Sequence, residues 1–486
     1  MEELTNKIKW SEVYDEAQLY KAAVRLYTTP VFNWRKALGE SFDKRNFYDF
    51  ARHGLSKLNE IHEKLQKRIF SFRPGISIDF NFNGKHRTVY VYPWEERLVD
   101  LLLYRILNQA LDKWFSRNSY AYRLKGPGID TCQRRIELCL KIKQKPVYII
   151  KRDISNYFNS VDHDILSRKL SALVVENDYL FSLMKQRISF SYYKQDNLTV
   201  AQKGIPFGTA IACVFANTYL TELDRCLDRI PGLSYFRYSD DFIFFSSDRE
   251  ISLLALERFE SFISALRLND KEAQRFNFVF SQENTADEYF KSVTKFKHLG
   301  LEFKADGLTG LSRDKARKIR NIFRYALRRK IGKVRKAKDI DKRIDAAIEI
   351  INRVLDNGIR NIAIIDYYLR HVSDEAQIRL IDRWLAEETL SVVLDNGHKK
   401  GSFRKISFKK LRERGLPSLA HRRKLILHGH MESSFFVWKN YQVLKAHKGT
   451  AVRCPVSIDK GAFSPLPGAA VVNPREREVL SVDGRY

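Results

Sequence analysis

The stretch that decides the fold reads FRYSDDFIFF and occupies residues 236–245. Two adjacent carboxylates, Asp240 and Asp241, interrupt its run of aromatic and β-branched residues. Such a run predicts two buried strands joined by a tight turn at the carboxylates. Because adjacent carboxylates in a poorly solvated turn repel each other, a bound cation would relieve that cost. A plain hairpin turn with two solvated aspartates explains the same pattern equally well.

A third carboxylate, at Asp153, favours a bound cation over a plain hairpin turn. Residues 147–150 read VYII, a short apolar strand, and the strand is followed by Lys151, Arg152 and Asp153. If Asp153 lies beside the hairpin, the three carboxylates form a divalent-ion site of the kind that Mg²⁺ prefers. Two such ions about 3.5–4 Å apart can activate an attacking hydroxyl and stabilise a leaving pyrophosphate. The predicted reaction class is therefore nucleotidyl transfer.

The pattern of apolar residues changes along the chain. Residues up to about Phe70 have helical spacing, whereas residues 73–97 alternate around an Asn-Gly pair, which predicts a hairpin. A helix is predicted from about Glu95 to Phe115, and the middle of the chain mixes short strands with helices. Beyond Leu311 the pattern is helical.

Charge indicates a polyanionic partner. The 486 residues include 86 Lys and Arg against 58 Asp and Glu, a net charge of +28. Residues 311–340 hold 13 basic residues against two acidic ones, and residues 391–430 hold 11 against two. Two such runs in helical segments favour binding to the phosphates of nucleic acid, although a solvated charged face is the usual explanation for one run.

Several classes of protein are disfavoured. No apolar run reaches the roughly 18 residues of a membrane span, and the acidic start does not resemble a signal peptide. The five cysteines never occur as Cys-x-x-Cys, which argues against a zinc site and a disulfide framework. We therefore expect a cytoplasmic protein without a membrane partner.

An ordered set of motifs resembles the reverse transcriptases over about residues 73–305. The segment at Asp153, GIPFGT at residues 204–209, YSDD at 238–241 and FKHLGL at 296–301 stand in the order of palm motifs A, B, C and E. Upstream, GKHRTVYV at residues 84–91 resembles the fingers hairpin, and SYAYR at 119–123 resembles a segment of bacterial members.

The resemblance implies an α/β (α+β) right-hand polymerase with an antiparallel palm sheet and a helical, basic thumb. The domains expected from it are an N-terminal helical extension (1–72), fingers (73–145), a palm (146–304) with a fingers insertion at about 165–203, a thumb (305–425) and a C-terminal tail region (426–486).

It also implies an RNA-directed DNA polymerase and its site residues. Asp153, Asp240 and Asp241 would be catalytic and would bind two Mg²⁺ ions, with Mn²⁺ as an alternative, helped by the carbonyl of Ile154. Phe158 would exclude a ribose 2′-hydroxyl, so that dNTPs are the substrates. The remaining substrate-binding residues expected are Arg87, Lys85, Gly204, Pro206, Phe207, Gly208 and Tyr238.

The sequence departs from the family pattern at two places. Most relatives have Gln where this chain has Phe207, which changes the contacts near the base pair. Asn284 stands where a lysine usually serves as general acid, so that role is left unassigned.

After the palm, the chain reads GSFRKIS at residues 401–407 and LRERGLPSLAHRR at 411–423. These stretches resemble the C-terminal region of antiphage defence-associated bacterial reverse transcriptases. This implies a structured noncoding RNA as partner and a DNA product, and the oligomeric state stays open. The basic residues expected to bind RNA are Arg317, Lys318, Arg328, Arg329, Lys330, Arg404, Lys405, Arg422 and Arg423.

Two other interpretations of the sequence remain. One is a template-independent or protein-primed DNA polymerase that starts synthesis on the hydroxyl of Tyr486. The other is a structural RNA-binding protein on a degenerate polymerase fold, against which the intact aspartates count. An RNA-dependent RNA polymerase is disfavoured by Phe158.

Overall fold

A computed structural model describes residues 6–28, 40–82, 85–124, 127–283, 286–357, 359–396 and 401–430. The chain divides into two compact units. The first contains the described residues up to 279 together with 286–292, and the second contains 280–283 and 293–430. Each unit is described by itself.

Within residues 6–28 and 40–66, which the structure describes, the first unit has four helices, as the apolar spacing of this region predicts. Asn46 starts the third of them, because its side chain accepts hydrogen bonds from the backbone N–H groups of Tyr48 and Asp49. The helices of this unit are α1 (Trp10–Val13), α2 (Glu16–Thr28), α3 (Phe47–Arg52), α4 (Gly54–Gln66), α5 (Trp94–Leu111), α6 (Ile129–Ile142), α7 (Tyr157–Ser160), α8 (His163–Ser171), α9 (Tyr179–Ile188), α10 (Ala210–Asp228) and α11 (Arg249–Ala265).

A four-stranded sheet contains the predicted hairpin. Its strands are β1 (Gly75–Phe82), β2 (Lys85–Val91), β4 (Ser191–Lys194) and β5 (Asn197–Val200), in the order β2-β1-β4-β5. The hairpin pairs Ile76 with Val91 and continues in register to its end, so the alternation seen in the sequence is confirmed. The Asn-Gly turn itself lies outside the described residues. The strand β4, from the predicted insertion, pairs with β1 in parallel.

A five-stranded sheet forms the centre of the first unit. Its strands are β3 (Val147–Asp153), β6 (Ser234–Tyr238), β7 (Asp241–Ser246), β8 (Phe276–Phe280) and β9 (Lys291–Val293), in the order β6-β7-β3-β8-β9. Aromatic contacts hold α11 against it, since the Phe259 ring packs edge-on against Phe242 and Phe244 at 5.2 and 5.8 Å. A 3₁₀ turn at Glu272–Gln274 precedes β8.

The second unit combines a small sheet with helices. Its strands are β10 (Lys295–His298), β11 (Leu301–Lys304) and β12 (Thr309–Leu311), which form an antiparallel sheet. The helices are α12 (Arg313–Arg329), α13 (Ile331–Arg335), α14 (Ile340–Asn357), α15 (Ile359–His371), α16 (Glu375–Val393), α17 (Ser402–Lys405), α18 (Phe408–Glu413) and α19 (Leu419–Leu427).

The helices of the second unit form where the apolar stripes predict them. Ile319, Phe323 and Leu327 recur along one face of α12 and are buried, while Arg317, Lys318, Arg328 and Arg329 are exposed. The predicted fold class, a mixed α/β protein with antiparallel sheets followed by a helical region, is confirmed. The predicted domain bounds remain a prediction. None of the helices in the described ranges has both the length and the apolar character of a membrane-crossing segment.

Candidate active site

Two strands bring the predicted carboxylates together. The strands β3 and β7 pair antiparallel, and their register places Asp153 directly opposite Asp241. Asp153 is the last residue of β3 and Asp241 is the first residue of β7. On the face that they share, the buried pair Ile149 and Phe245 lies four positions further along the two strands. Partners separated widely in sequence therefore meet at one end of the sheet.

Asp240 reaches the same place through the turn between β6 and β7. Ser239 and Asp240 form a two-residue turn, and Ser239 has a left-handed backbone with φ 61°. The Ser239 hydroxyl bonds the hydroxyl of Tyr122 at 2.9 Å, and the carbonyl of Asp240 accepts a hydrogen bond of 3.2 Å from the N–H of Ile154. These contacts hold the turn against the end of β3.

Two lysines contact the carboxylates. The ammonium of Lys271 pairs with the carboxylate of Asp153, and the Lys271 N–H donates to the Asp153 carbonyl at 2.8 Å. The ammonium of Lys151 lies 3.6 Å from Asp241. No motif in the sequence indicated Lys271, because it lies in a turn after α11 and meets Asp153 only through the tertiary fold.

Burial and mutual repulsion raise the pKa values of two of the carboxyl groups. Burial is the largest cause for Asp241, Asp153 and Asp240 add to it, and Lys151 opposes it, so that the pKa rises to about 7. The pKa of Asp240 is also raised, first by burial and then by the charge of Asp153. A site that disfavours its own negative charge has the electrostatics of a cation site.

The carboxylates are not prearranged around a common metal position. Within the part of the chain that the structure describes, no three His, Cys, Asp or Glu side chains are arranged to hold a metal ion. Lysine ammonium groups contact Asp153 and Asp241 instead. The chemistry of the three residues fits a divalent ion, because Asp153, Asp240 and Asp241 lie at one end of the sheet and carry the oxygen donors that such an ion prefers. A bound ion would displace the lysine contacts.

The loop at residues 204–209 packs against the turn that follows β3. Gly204 has φ +87°, its N–H donates to the Val161 carbonyl at 2.8 Å, and the N–H of Ile205 donates to the Phe158 carbonyl at 2.7 Å. A Cβ at Gly204 would lie 3.0 Å from the carbonyl oxygen of Phe158, so only glycine fits there. Gly208 also has a positive φ.

Phe207 connects the hairpin of β1 and β2 with this loop. Its carbonyl accepts a hydrogen bond of 2.9 Å from the N–H of Tyr90, and its ring centroid lies 5.6 Å from the guanidinium carbon of Arg87. The same ring packs edge-on against Phe158 at 5.0 Å, and Phe158 packs against Tyr122 at 6.1 Å. Arg87, Phe207, Phe158 and Tyr122 thus form a continuous line of contacts, which continues through the Tyr122 hydroxyl to the turn at Ser239.

The other predicted substrate-binding residues have simpler surroundings. The Pro206 carbonyl accepts hydrogen bonds from the N–H and the hydroxyl of Thr209, which fixes the start of α10. Tyr238 stands opposite Asp241 in the β6–β7 hairpin. The side chain of Lys85 is outside the described part of the structure, as are Asn284 and Tyr486.

The basic residues of the second unit fall into two groups. Arg422 and Arg423 are used within the fold, since Arg422 bonds the buried carboxylate of Asp366 at 2.7 and 3.0 Å and Arg423 donates to the Val372 carbonyl at 2.6 Å. Their role in RNA binding stays a prediction. The remaining predicted residues are exposed: Arg317, Lys318, Arg328, Arg329, Lys330, Arg404 and Lys405.

A family model matches the region that contains the carboxylates. Residues 79–303 match the family model described as reverse transcriptase (RNA-dependent DNA polymerase). This region includes the two strands that carry Asp153 and Asp241, the turn with Asp240, and the loop at Gly204.

The curated relatives are similar over part of their length. The Retron Ec83 reverse transcriptase of Escherichia coli is 29% identical over 121 residues, which are 24% of this chain and 38% of that protein. An uncharacterized 91 kDa protein in the cob intron of Schizosaccharomyces pombe is 25% identical over 180 residues, 37% of this chain and 22% of that protein. Among solved structures, apo telomerase from Candida tropicalis matches with a TM-score of 0.41 and 11% identity, covering 83% of this chain and 73% of that one.

Proposed function

We propose that this protein is an RNA-directed DNA polymerase whose catalytic carboxylates are Asp153, Asp240 and Asp241. The observation that carries the proposal is the register of β3 and β7, which places Asp153 opposite Asp241 with Asp240 in the adjoining turn. The match of residues 79–303 to the reverse transcriptase family model supports it.

Divalent ions, Mg²⁺ or Mn²⁺, would be held by the three carboxylates and the Ile154 carbonyl. When bound, they supply charge neutralisation for the attack of a primer 3′-hydroxyl on the nucleotide α-phosphate. The chain itself orients the carboxylates by strand pairing and keeps the site partly buried, which strengthens its electrostatic interactions. Lys271 and Lys151 balance the negative charge before the ions bind.

The substrate is a deoxynucleoside triphosphate. Arg87 presents a guanidinium suited to bidentate contact with phosphate oxygens, and its contact with the Phe207 ring limits the freedom of that guanidinium. Phe158 is fixed between Phe207 and Tyr122, so its ring cannot easily turn away from a ribose. This rigidity supports a role for Phe158 in excluding the 2′-hydroxyl.

The partner is a structured noncoding RNA, and the biological role is antiphage defence in the cytoplasm. Exposed basic residues on α12 and in residues 404–405, together with the net charge of +28, support binding to the phosphates of a folded RNA. The defence role rests on the resemblance of the C-terminal region to defence-associated enzymes.

The test is primer extension by purified protein with its co-purifying RNA. We expect incorporation of dNTPs on an RNA template with a DNA primer, little incorporation of NTPs, and loss of both in Asp240→Asn. Incorporation without any template would favour a template-independent enzyme, and a nucleotide attached to Tyr486 would favour protein priming. RNA binding without any incorporation would favour a structural RNA-binding protein.

A further inference from the structure

The peptide group that joins Gly204 to Ile205 is hydrogen-bonded at both of its ends. Its carbonyl accepts a hydrogen bond of 2.6 Å from Nε2 of His163, and its N–H donates to the Phe158 carbonyl at 2.7 Å. Because a carbonyl oxygen can only accept, this ring nitrogen of His163 carries a proton. A peptide group is planar and rigid, so it connects the imidazole to the backbone of Phe158 through one stiff unit.

Gly204 does not set the orientation of this peptide group by its own shape. It has no side chain and its φ is +87°, so sterics restrict the rotation of the next peptide group little. The Gly204 N–H donates to the Val161 carbonyl at 2.8 Å, which places the residue but does not act on rotation about its Cα–C bond. The hydrogen bonds from His163 and to Phe158 therefore set this orientation together.

The backbone of His163 is itself held in place. His163 is the first residue of α8, and Asp162 caps this helix by accepting hydrogen bonds of 3.0 Å from the N–H groups of Asp164 and Ile165. The other carboxylate oxygen of Asp162 accepts a hydrogen bond of 2.8 Å from Arg267. The half-buried imidazole is therefore presented to the loop at residues 204–209 from a defined position.

Phe158 depends on this loop through both its backbone and its ring. Its carbonyl accepts the hydrogen bond from Ile205, and its ring lies 5.0 Å from the ring of Phe207, which belongs to the same loop. A rotation of the 204–205 peptide group would weaken the first contact and displace the second. The position of the Phe158 ring relative to a bound sugar would then change.

We propose that His163 is a positioning residue that sets the selectivity for deoxynucleotides over ribonucleotides, by holding the 204–205 peptide group against Phe158. The inference rests on the proposed function, in which Phe158 excludes the ribose 2′-hydroxyl. His163 acts through Gly204 and Phe158 and needs no contact with the substrate. Its loss leaves the three carboxylates in place and changes which sugar the site accepts.

The first measurement is the ratio of kcat/KM for a dNTP to that for the matching NTP, by single-nucleotide incorporation with the full-length protein. His163→Leu should lower this ratio about 3- to 10-fold, the range for loss of one hydrogen bond. His163→Gln should keep a ratio close to that of wild type, because its amide N–H can donate to the same carbonyl. In a Phe158→Ala background, His163→Leu should leave the ratio unchanged.

The second measurement is hydrogen–deuterium exchange at the Ile205 amide, which does not depend on activity. Without the imidazole, the peptide group holds its bond to the Phe158 carbonyl less firmly. Exchange should therefore be about ten-fold faster in His163→Leu than in wild type, and close to wild type in His163→Gln. Unchanged exchange in His163→Leu would overturn the link through the peptide group.

His62→Leu is the matched control. His62 is a half-buried histidine of α4 whose Nδ1 lies 2.8 Å from the Tyr14 hydroxyl, so this variant also loses one side-chain hydrogen bond in the first unit. It should change neither the ratio nor the exchange at Ile205. An equal fall of the ratio in His62→Leu and His163→Leu would indicate a general loss of stability and overturn the positioning role.

The same ratio separates this inference from the proposed function. A wild-type ratio in His163→Leu, together with a lowered ratio in Phe158→Ala, would overturn the role of His163 alone. A wild-type ratio in Phe158→Ala would overturn the proposed exclusion of the 2′-hydroxyl by Phe158, and the role of His163 in selectivity with it.

Discussion

Lys271 is bound to Asp153 through both its backbone and its side chain. Its N–H donates to the Asp153 carbonyl at 2.8 Å, and its ammonium pairs with the Asp153 carboxylate. The lysine thus supplies positive charge at the point where the proposed catalytic ions would bind. A proton, a lysine ammonium group and a metal ion therefore compete for the same carboxylates. This competition can be measured through metal affinity and stability.

Replacing Lys271 by Met should tighten metal binding and destabilise the metal-free protein. Without the ammonium, Asp153 is free to bind an ion but is left uncompensated in its absence. We expect Mn²⁺ to bind about 3- to 10-fold more tightly, measured by calorimetry, and the unfolding midpoint without metal to fall. Lys151→Met is the matched comparison, and its effect should be smaller because Lys151 is 3.6 Å from Asp241. Unchanged or weaker binding in Lys271→Met would contradict this role.

The raised pKa of Asp241 makes the metal-free protein less stable as pH rises. The pKa of Asp241 is about 7 in the folded protein, against 3.8 for an ordinary aspartate. Between about pH 4 and pH 7 the folded state therefore binds this proton more tightly than the unfolded state does. The contribution of protonated Asp241 to the free energy of unfolding is fully present below about pH 4 and is lost as the pH rises through about 7. Asp241→Asn should therefore be more stable than wild type by roughly 2 kcal/mol at pH 8 in chelator, by denaturant unfolding.

Added Mg²⁺ supplies the control for this prediction. It should stabilise wild type at pH 8 and stabilise Asp241→Asn much less. A variant that is less stable than wild type in chelator at pH 8 would show that burial does not penalise the Asp241 charge.

Much of the fold was predictable because local patterns and tertiary burial agree. Alternating residues gave the β1–β2 hairpin, and the apolar run before Asp153 gave a strand that ends at that residue. The helix predicted from Glu95 to Phe115 is observed at Trp94–Leu111, four residues shorter at its C-terminal end. Residues 112–114 form a turn instead.

Candidate site residues could be predicted from the sequence only where they belong to a local motif. Asp240 and Asp241 can be recognised in the sequence because they interrupt an apolar run. Lys271 cannot be distinguished in the sequence from an ordinary surface lysine in a loop. Arg422 and Arg423 illustrate the same limit, because nothing in their basic segment indicates that Arg422 bonds buried Asp366 and that Arg423 donates to the Val372 carbonyl. Long-range partners of this kind cannot be read from local sequence.

Gly204 should tolerate no side chain. Gly204→Ala combines a strained φ of +87° with a Cβ 3.0 Å from backbone atoms, so we expect a loss of about 2–4 kcal/mol in unfolding free energy or loss of folded protein. Gly307→Ala is the matched control, since it has the same φ but no atom within 4 Å of its Cβ, and it should cost only about 1 kcal/mol. Equal costs would show that the loop moves aside for the added methyl group.

Phe207 should act on nucleotide binding through Arg87. Phe207→Leu keeps a buried apolar side chain but removes the ring under the guanidinium, so we expect the KM for dNTP to rise about 3- to 10-fold with kcat changed less. Phe207→Tyr keeps the ring and should behave like wild type. In an Arg87→Ala background the Phe207→Leu effect should vanish, and a full effect in that background would exclude coupling between the two residues.

The central claim is that Asp153, Asp240 and Asp241 act as one divalent-ion site, and single-nucleotide incorporation with Mg²⁺ tests it most directly. We predict that each Asn variant loses at least about a thousand-fold in rate and that the double variant Asp153→Asn/Asp241→Asn is no slower than either single variant, because groups that act as a unit are not additive. An Asn variant at any of the three positions that keeps activity within about ten-fold of wild type, or losses that multiply in the double variant, would contradict the account.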